Sequence, residues 1–143
     1  MFEVAIYLEA SSVSPREIKR KYGYVLECKT KTNKMRTAEA FGEIIATHHK
    51  TILVAAVEAL KRLNQTCVVT IHTSNSFIAN MIGNQLPKWQ GNGFNTRSGD
   101  DISNKEEWIK LSEELKKHIY IITQEKHSYT AWLGSEMKRW KAE

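Results

Sequence analysis

Cys67-Val68-Val69-Thr70-Ile71-His72-Thr73-Ser74-Asn75-Ser76-Phe77 is the stretch whose pattern sets the architecture. Seven residues rich in β-branched side chains predict a buried strand. Ser74-Asn75-Ser76 then supplies a helix cap, and Phe77, Ile78, Met81 and Ile82 resume helical spacing. The unit is strand, loop and helix. Upstream, Thr47 to Leu63 places Ile52, Leu53, Ala56, Val57 and Leu60 on one helical stripe, with Glu58, Lys61 and Arg62 on the opposite face. Before that helix come three strands: Val4–Leu8, Tyr22–Cys28 and Met35–Glu43, the last two joined by the polar turn Lys29-Thr30-Lys31-Thr32-Asn33.

Downstream, Gln90 to Gly99 is rich in Gly and Asn and reads as a surface loop. Ser103 with Glu106 has the spacing of a capping box, opening a helix with Trp108, Leu111 and Leu115 on one face. Ile119–Thr123 reads as a short central strand, and a terminal helix carries Trp132, Leu133, Met137 and Trp140. The order is βββαβααβα, an α/β chain expected to form one domain over residues 1–143.

Composition narrows the function classes. The 143 residues are 41% hydrophobic and 26% charged, as in an ordinary globular protein, and the net charge of +5 favours anionic partners. Fourteen of the sixteen acids are Glu, and the two Asp are the adjacent Asp100 and Asp101, which excludes chemistry needing several separated aspartates. Cys28 and Cys67 lie in apolar-alternating runs without metal-ligand spacing and read as small core hydrophobes. No basic leader or apolar span is visible, so a cytoplasmic location and no membrane partner are expected. Arg16, Lys19, Arg20 and Lys21, and again Lys29, Lys31, Lys34 and Arg36, form charge clusters that read first as solvated faces.

Several segments together resemble type I ribonuclease H from about Val4 to Met137. Val4-Ala5-Ile6-Tyr7-Leu8-Glu9-Ala10-Ser11 stands in place of a first strand ending in Asp-Gly-Ser, and Tyr22-Gly23-Tyr24-Val25-Leu26 matches the second strand. Thr47-His48-His49-Lys50-Thr51-Ile52-Leu53 stands where the family has Thr-Asn-Asn-x-x-Glu-Leu, and Thr73-Ser74 replaces a strand ending in Asp-Ser. Trp89 to Phe94 and Asn104 to Leu111 follow the family's tryptophan-rich middle region. The resemblance implies an RNase H-like fold with a five-stranded mixed sheet flanked by helices.

It also implies a site. The family cleaves the RNA strand of an RNA–DNA hybrid with two Mg²⁺ ions about 3.5 to 4 Å apart, held by four carboxylates. The matching positions here are Glu9, Ile52, Ser74 and, without gaps in the last segment, Ser135, leaving one carboxylate of four. The expectation is therefore a chain that is not an enzyme and holds no cofactor: a catalytically inactive domain that binds nucleic acid weakly, or has lost it, or serves as a scaffold. Two alternatives stand beside it. One is a divergent hybrid nuclease with Mg²⁺ or Mn²⁺, rebuilt around Glu9 from His72, Glu125, His127 or Glu136; the other is a pure protein-interaction module. Nucleic-acid contacts are expected from Thr47, His48, His49, Lys50, Asn75 and Trp89, the last weighed also as a core residue. His48 and His49, being adjacent, are expected to point to different sides of their helix.

Overall fold

The computed structural model describes residues 2–30, 32–94, 102–124 and 126–141. Five strands, β1 (Phe2–Ala10), β2 (Ile18–Lys29), β3 (Met35–Ala46), β4 (Cys67–Thr73) and β5 (Ile119–Gln124), form one sheet in the order β3-β2-β1-β4-β5. β1, β2 and β3 pair antiparallel, whereas β4 runs parallel to β1 and β5 parallel to β4, so the sheet is mixed as expected. The helices are α1 (His48–Lys61), α2 (Ser76–Asn80), α3 (Leu86–Asn92), α4 (Lys105–Leu115) and α5 (Thr130–Arg139).

The helical stripe of α1 packs as its spacing predicts. Ile52, Leu53, Ala56, Val57 and Leu60 are buried with Ile6, Leu8, Val69 and Ile71 of the sheet and with Trp108, Leu111 and Leu115 of α4. Thr47 caps α1, accepting from the Lys50 N–H. Glu58, assigned to the solvent face, instead accepts a 2.5 Å hydrogen bond from the Tyr22 hydroxyl. That ring lies across Gly42, its cross-strand partner, where a Cβ would sit 2.2 Å from Tyr22 Cζ. Only glycine admits this crossing, which ties the sheet to α1.

Four expectations need correction. β5 is an edge strand, not a central one, because the chain returns next to β4 and nothing follows on its far side in the sheet. The helix beginning at Ser76 runs on through a π-helical turn, Met81–Gln85, into α3 and ends only at Asn92. Gln90, Gly91 and Asn92 are therefore helical, and residues 95–99 of the expected loop lie outside the described residues. No capping box forms: Asn104 takes the left-handed conformation at φ 59° and becomes the N-cap without a side-chain bond, a conformation Asn tolerates better than Ser. Finally, Arg20 is not on a solvated face. It is 2% exposed, and its guanidinium donates to the carbonyls of Ala46, Ser12, Ser14 and Arg16 at 2.6 to 2.9 Å, fixing the β1–β2 loop against the end of β3. Of the cysteines, Cys67 is buried and Cys28 half-buried, both unpaired as thiols.

Candidate nucleic-acid interface

Parallel pairing of β1 with β4 sets Leu8 opposite Thr73, so the next residues, Glu9 and Ser74, emerge side by side at the carboxyl ends of the two strands. Ser74 Oγ donates to Glu9 Oε1 at 3.1 Å, and Glu9 is 8% exposed. Its other oxygen, Oε2, is buried without a hydrogen bond and lies 3.4 Å from His127 Nε2. The Tyr129 N–H donates to His127 Nδ1 at 3.2 Å, which places the ring hydrogen on Nε2, directed at the Leu8 carbonyl, also 3.2 Å away. His127 is thus held through both ring nitrogens.

Around this pair stands an aromatic wall. Tyr7 stacks on His72 at 4.4 Å and meets Tyr129 edge-on at 4.8 Å. His72 Nδ1 shares a hydrogen with Thr123 Oγ1 at 2.9 Å, and the Tyr129 hydroxyl donates to Glu27 at 2.6 Å. The bond to Glu27 and burial push the Tyr129 phenol up to about 12.

The other matched positions do not join Glu9 as ligands. Ile52 is 1% exposed inside the core, and Ser135 is exposed on α5. Glu136 pairs with Arg139 one turn along its own helix, and Glu125 lies outside the described residues. Hard divalent ions take several oxygen ligands with net negative charge. One carboxylate, one hydroxyl and one imidazole do not fit a pair of them, and among the described residues no three His, Cys, Asp or Glu side chains gather to hold a metal.

A second cluster forms at the start of α1. The two hydrogens of the Asn75 amide go to His48 Nδ1 at 3.2 Å and His49 Nδ1 at 2.9 Å, while its Oδ1 accepts from the Ile78 N–H and caps α2. His48 and His49 therefore converge on one amide instead of diverging; at the first turn of a helix both side chains still reach back toward the preceding chain. Each keeps its Nε2–H as a donor. Burial, then the positive charge of Arg20 and then His49, lower the His48 pKa to about 4, and burial lowers that of His49. At neutral pH the cluster offers hydrogen-bond donors, not charges.

Lys50 reaches Glu107 of α4 at 3.5 Å. Trp89 is half-buried against Trp108, edge to face at 5.1 Å, so its ring serves the core more than the surface. Lys19 pairs with Glu43, and Lys21 donates to the Met137 and Trp140 carbonyls at the end of α5. Phe77, expected on the apolar helical spacing with Ile78, Met81 and Ile82, is not buried with Ile78 and Ile82. It stacks on His49 at 4.3 Å and is 46% exposed. Spacing did not reveal this, because residue 77 lies one turn before Met81 on the same helical row.

This fold, with its donors at the carboxyl ends of parallel strands, is that of an RNase H-like protein. The RNase H family model matches residues 2–130, and the chain belongs to that family. The Ribonuclease H of Xanthomonas oryzae pv. oryzae is 30% identical over 79 residues, covering 55% of this chain and 53% of the relative. That of Hahella chejuensis is 34% identical over 77 residues, covering 54% and 52%. The chain thus spans about half the length of the curated relatives it matches. Among solved structures, LC9-RNase H1, a type 1 RNase H with the type 2 active-site motif, superposes with a TM-score of 0.76 at 14% identity, over 96% of this chain and 71% of that one. The foamy viral protease-reverse transcriptase in complex with RNA/DNA hybrid gives 0.67 at 16% identity, over 95% and 19%. These two likenesses concern the fold. No helix of the described residues is long and apolar enough to cross a membrane.

The expectation that the chain is not an enzyme falls on these relatives, which bear an enzyme's name at 30% identity and more. The physical error lay in equating enzyme with one ligand set. Counting carboxylates at matched positions tests whether two metal ions can be held there, not whether the chain has an activity.

Proposed function

We propose that this chain is a nucleic-acid-binding RNase H domain that engages RNA–DNA hybrid through Thr47, His48, His49 and Lys50, with the buried Asn75 positioning the two histidines. The observation that carries the reading is the Asn75 amide, which gathers both histidines into one set of donors beside the end of β4. Neutral imidazole N–H groups suit 2′-hydroxyls and sugar oxygens, the features that distinguish an RNA strand in a shallow groove. The net charge of +5 supplies general attraction to phosphate.

Anisotropy with a labelled hybrid tests this. Binding is expected at low salt, weakening with log salt by about 0.7 to 0.9 per neutralised phosphate, and His49→Ala weakens it. Absence of binding to hybrid, duplex and single strand alike at low salt overturns the reading in favour of a protein-interaction module.

A second reading, cleavage of the RNA strand, is favoured by Glu9 Oε2, a buried carboxylate oxygen without a hydrogen bond, 3.4 Å from His127 Nε2. A carboxylate beside an imidazole is a pair suited to proton transfer. Cleavage of labelled hybrid that is lost in both Glu9→Gln and His127→Ala supports it; cleavage indifferent to both, or none by the wild type, sinks it.

A further inference from the structure

Past Ser74, the chain builds a groove of about 580 Å³ between α2, the π-helical turn and the carboxyl end of β5. Three of its properties select an occupant. Phe77 forms an aromatic wall that is exposed yet held in place, since His49 stacks against it and Asn75 in turn holds His49. Among the described residues the rest of the polar lining is neutral: Asn80, Asn84, Gln124 and Ser76, with no Lys, Arg, Asp or Glu. Asn84 Nδ2 donates to Asn80 Oδ1, and the Asn80 amide hydrogens and the Asn84 carbonyl add a donor and an acceptor to the lining.

A lining whose described residues carry no charge selects neither a phosphate nor a carboxylate. A held aromatic face beside a donor–acceptor pair matches a flat, neutral, polar ring, and the groove falls in the size range of small-ligand sites. In a paired duplex a base has its faces covered by stacking and its edge by the opposite strand. Only a base out of the stack offers a face to Phe77 and an edge to the amides. We propose that this groove takes one unpaired nucleobase, so that a hybrid interrupted by an unpaired nucleotide, or a single strand, is preferred over continuous duplex. This rests on the nucleic-acid reading above for its context. Position fits it: Gln124 pairs in register with Thr73, one residue before Ser74, so the groove adjoins the Glu9 end of the sheet.

Gly83 gives an independent handle. A Cβ there meets only Ile122 Cγ2, at the ordinary contact distance of 3.8 Å, so a side chain can start from this lining position without a clash at its Cβ.

The test uses the full chain and three probes of one sequence: a continuous hybrid, the same hybrid with one unpaired 2-aminopurine in the RNA strand, and the RNA strand alone. Base stacking on an aromatic side chain predicts about tenfold tighter binding of the interrupted hybrid than of the continuous one, with a change in 2-aminopurine emission on binding. Gly83→Leu brings the interrupted hybrid down to the continuous level and leaves the continuous hybrid's affinity within twofold; Phe77→Ala abolishes the preference between the two hybrids, whereas Phe77→Trp keeps it. Circular dichroism verifies that each variant is folded. Equal wild-type affinity for the continuous and interrupted hybrids, or unchanged emission in the bound state, overturns the proposal while leaving hybrid binding intact. Binding of the unpaired probes without the continuous one supports it and overturns the hybrid reading. No binding of any probe overturns both.

Discussion

The two faces of the sheet are built on different principles. Toward α1 and α4, Ile6, Leu8, Ile52, Leu53, Leu60 and Trp108 belong to one large apolar cluster. Toward α5, the buried apolar cluster is Tyr7, Val25, Leu133 and Met137, and the space beside it holds Glu9, His72, His127 and Tyr129 in a hydrogen-bonded and stacked array. The first face determines the fold; the second, poorer in apolar area, places the polar groups. Residue 52 of α1, where the family resemblance places a carboxylate, belongs to the first kind of surface.

That comparison breaks hardest at residue 52. Ile52→Glu puts a charge where exposure is 1%, with no cation beside it among the described contacts, and is expected to cost about 4 kcal/mol. Urea unfolding measures it, and a midpoint that does not move shows that water reaches the pocket. Leucine truncations sharpen the contrast: Leu60→Ala in the large cluster is expected to cost about 4 kcal/mol and Leu133→Ala in the small one about 2, since a thinner cluster relaxes more readily around the void. Equal losses argue that the α5 face is as tightly packed as the other.

The smallest effect is a pH dependence. His48 has a folded pKa near 4 against an ordinary value of 6.5, so between those limits the unfolded chain binds more protons. Stability is therefore complete above pH 6.5 and declines as the pH falls toward 4. Because the ring is half-buried, the loss is on the order of 1 kcal/mol. His49 and His118 are shifted the same way by burial and add to the slope. Unfolding of His48→Gln across this range should show a shallower slope; an unaltered one assigns the effect to the other two.

The sequence made the strands and α1 legible because alternation and the 3.6-residue stripe are properties of neighbouring residues. Cys67–Thr73 matches β4 end to end, and α1 begins at His48, one residue after the expected Thr47. What escaped depends on partners distant along the chain. Nothing local marks Arg20 as buried, since its acceptors are four carbonyls spread from Ser12 to Ala46. β5 looks central because Ile119, Ile121 and Ile122 are apolar, yet Ile119 and Ile121 are 58% and 60% exposed at the sheet's edge. In the site, the adjacency of Glu9 and Ser74 follows from strand register, and the position of Ile52 from its stripe. The junction of His48 and His49 does not, because it is made by an amide 26 residues further on.

Arg20 carries one more consequence. Its planar fork satisfies four oxygens that approach from different segments, which an ammonium with three hydrogens on a flexible stem cannot reproduce. Exchanging it for lysine, formally the mildest of substitutions, would preserve the charge and lose the joinery. The β1–β2 loop would then swing as a flap instead of standing as a fixed rim beside α1.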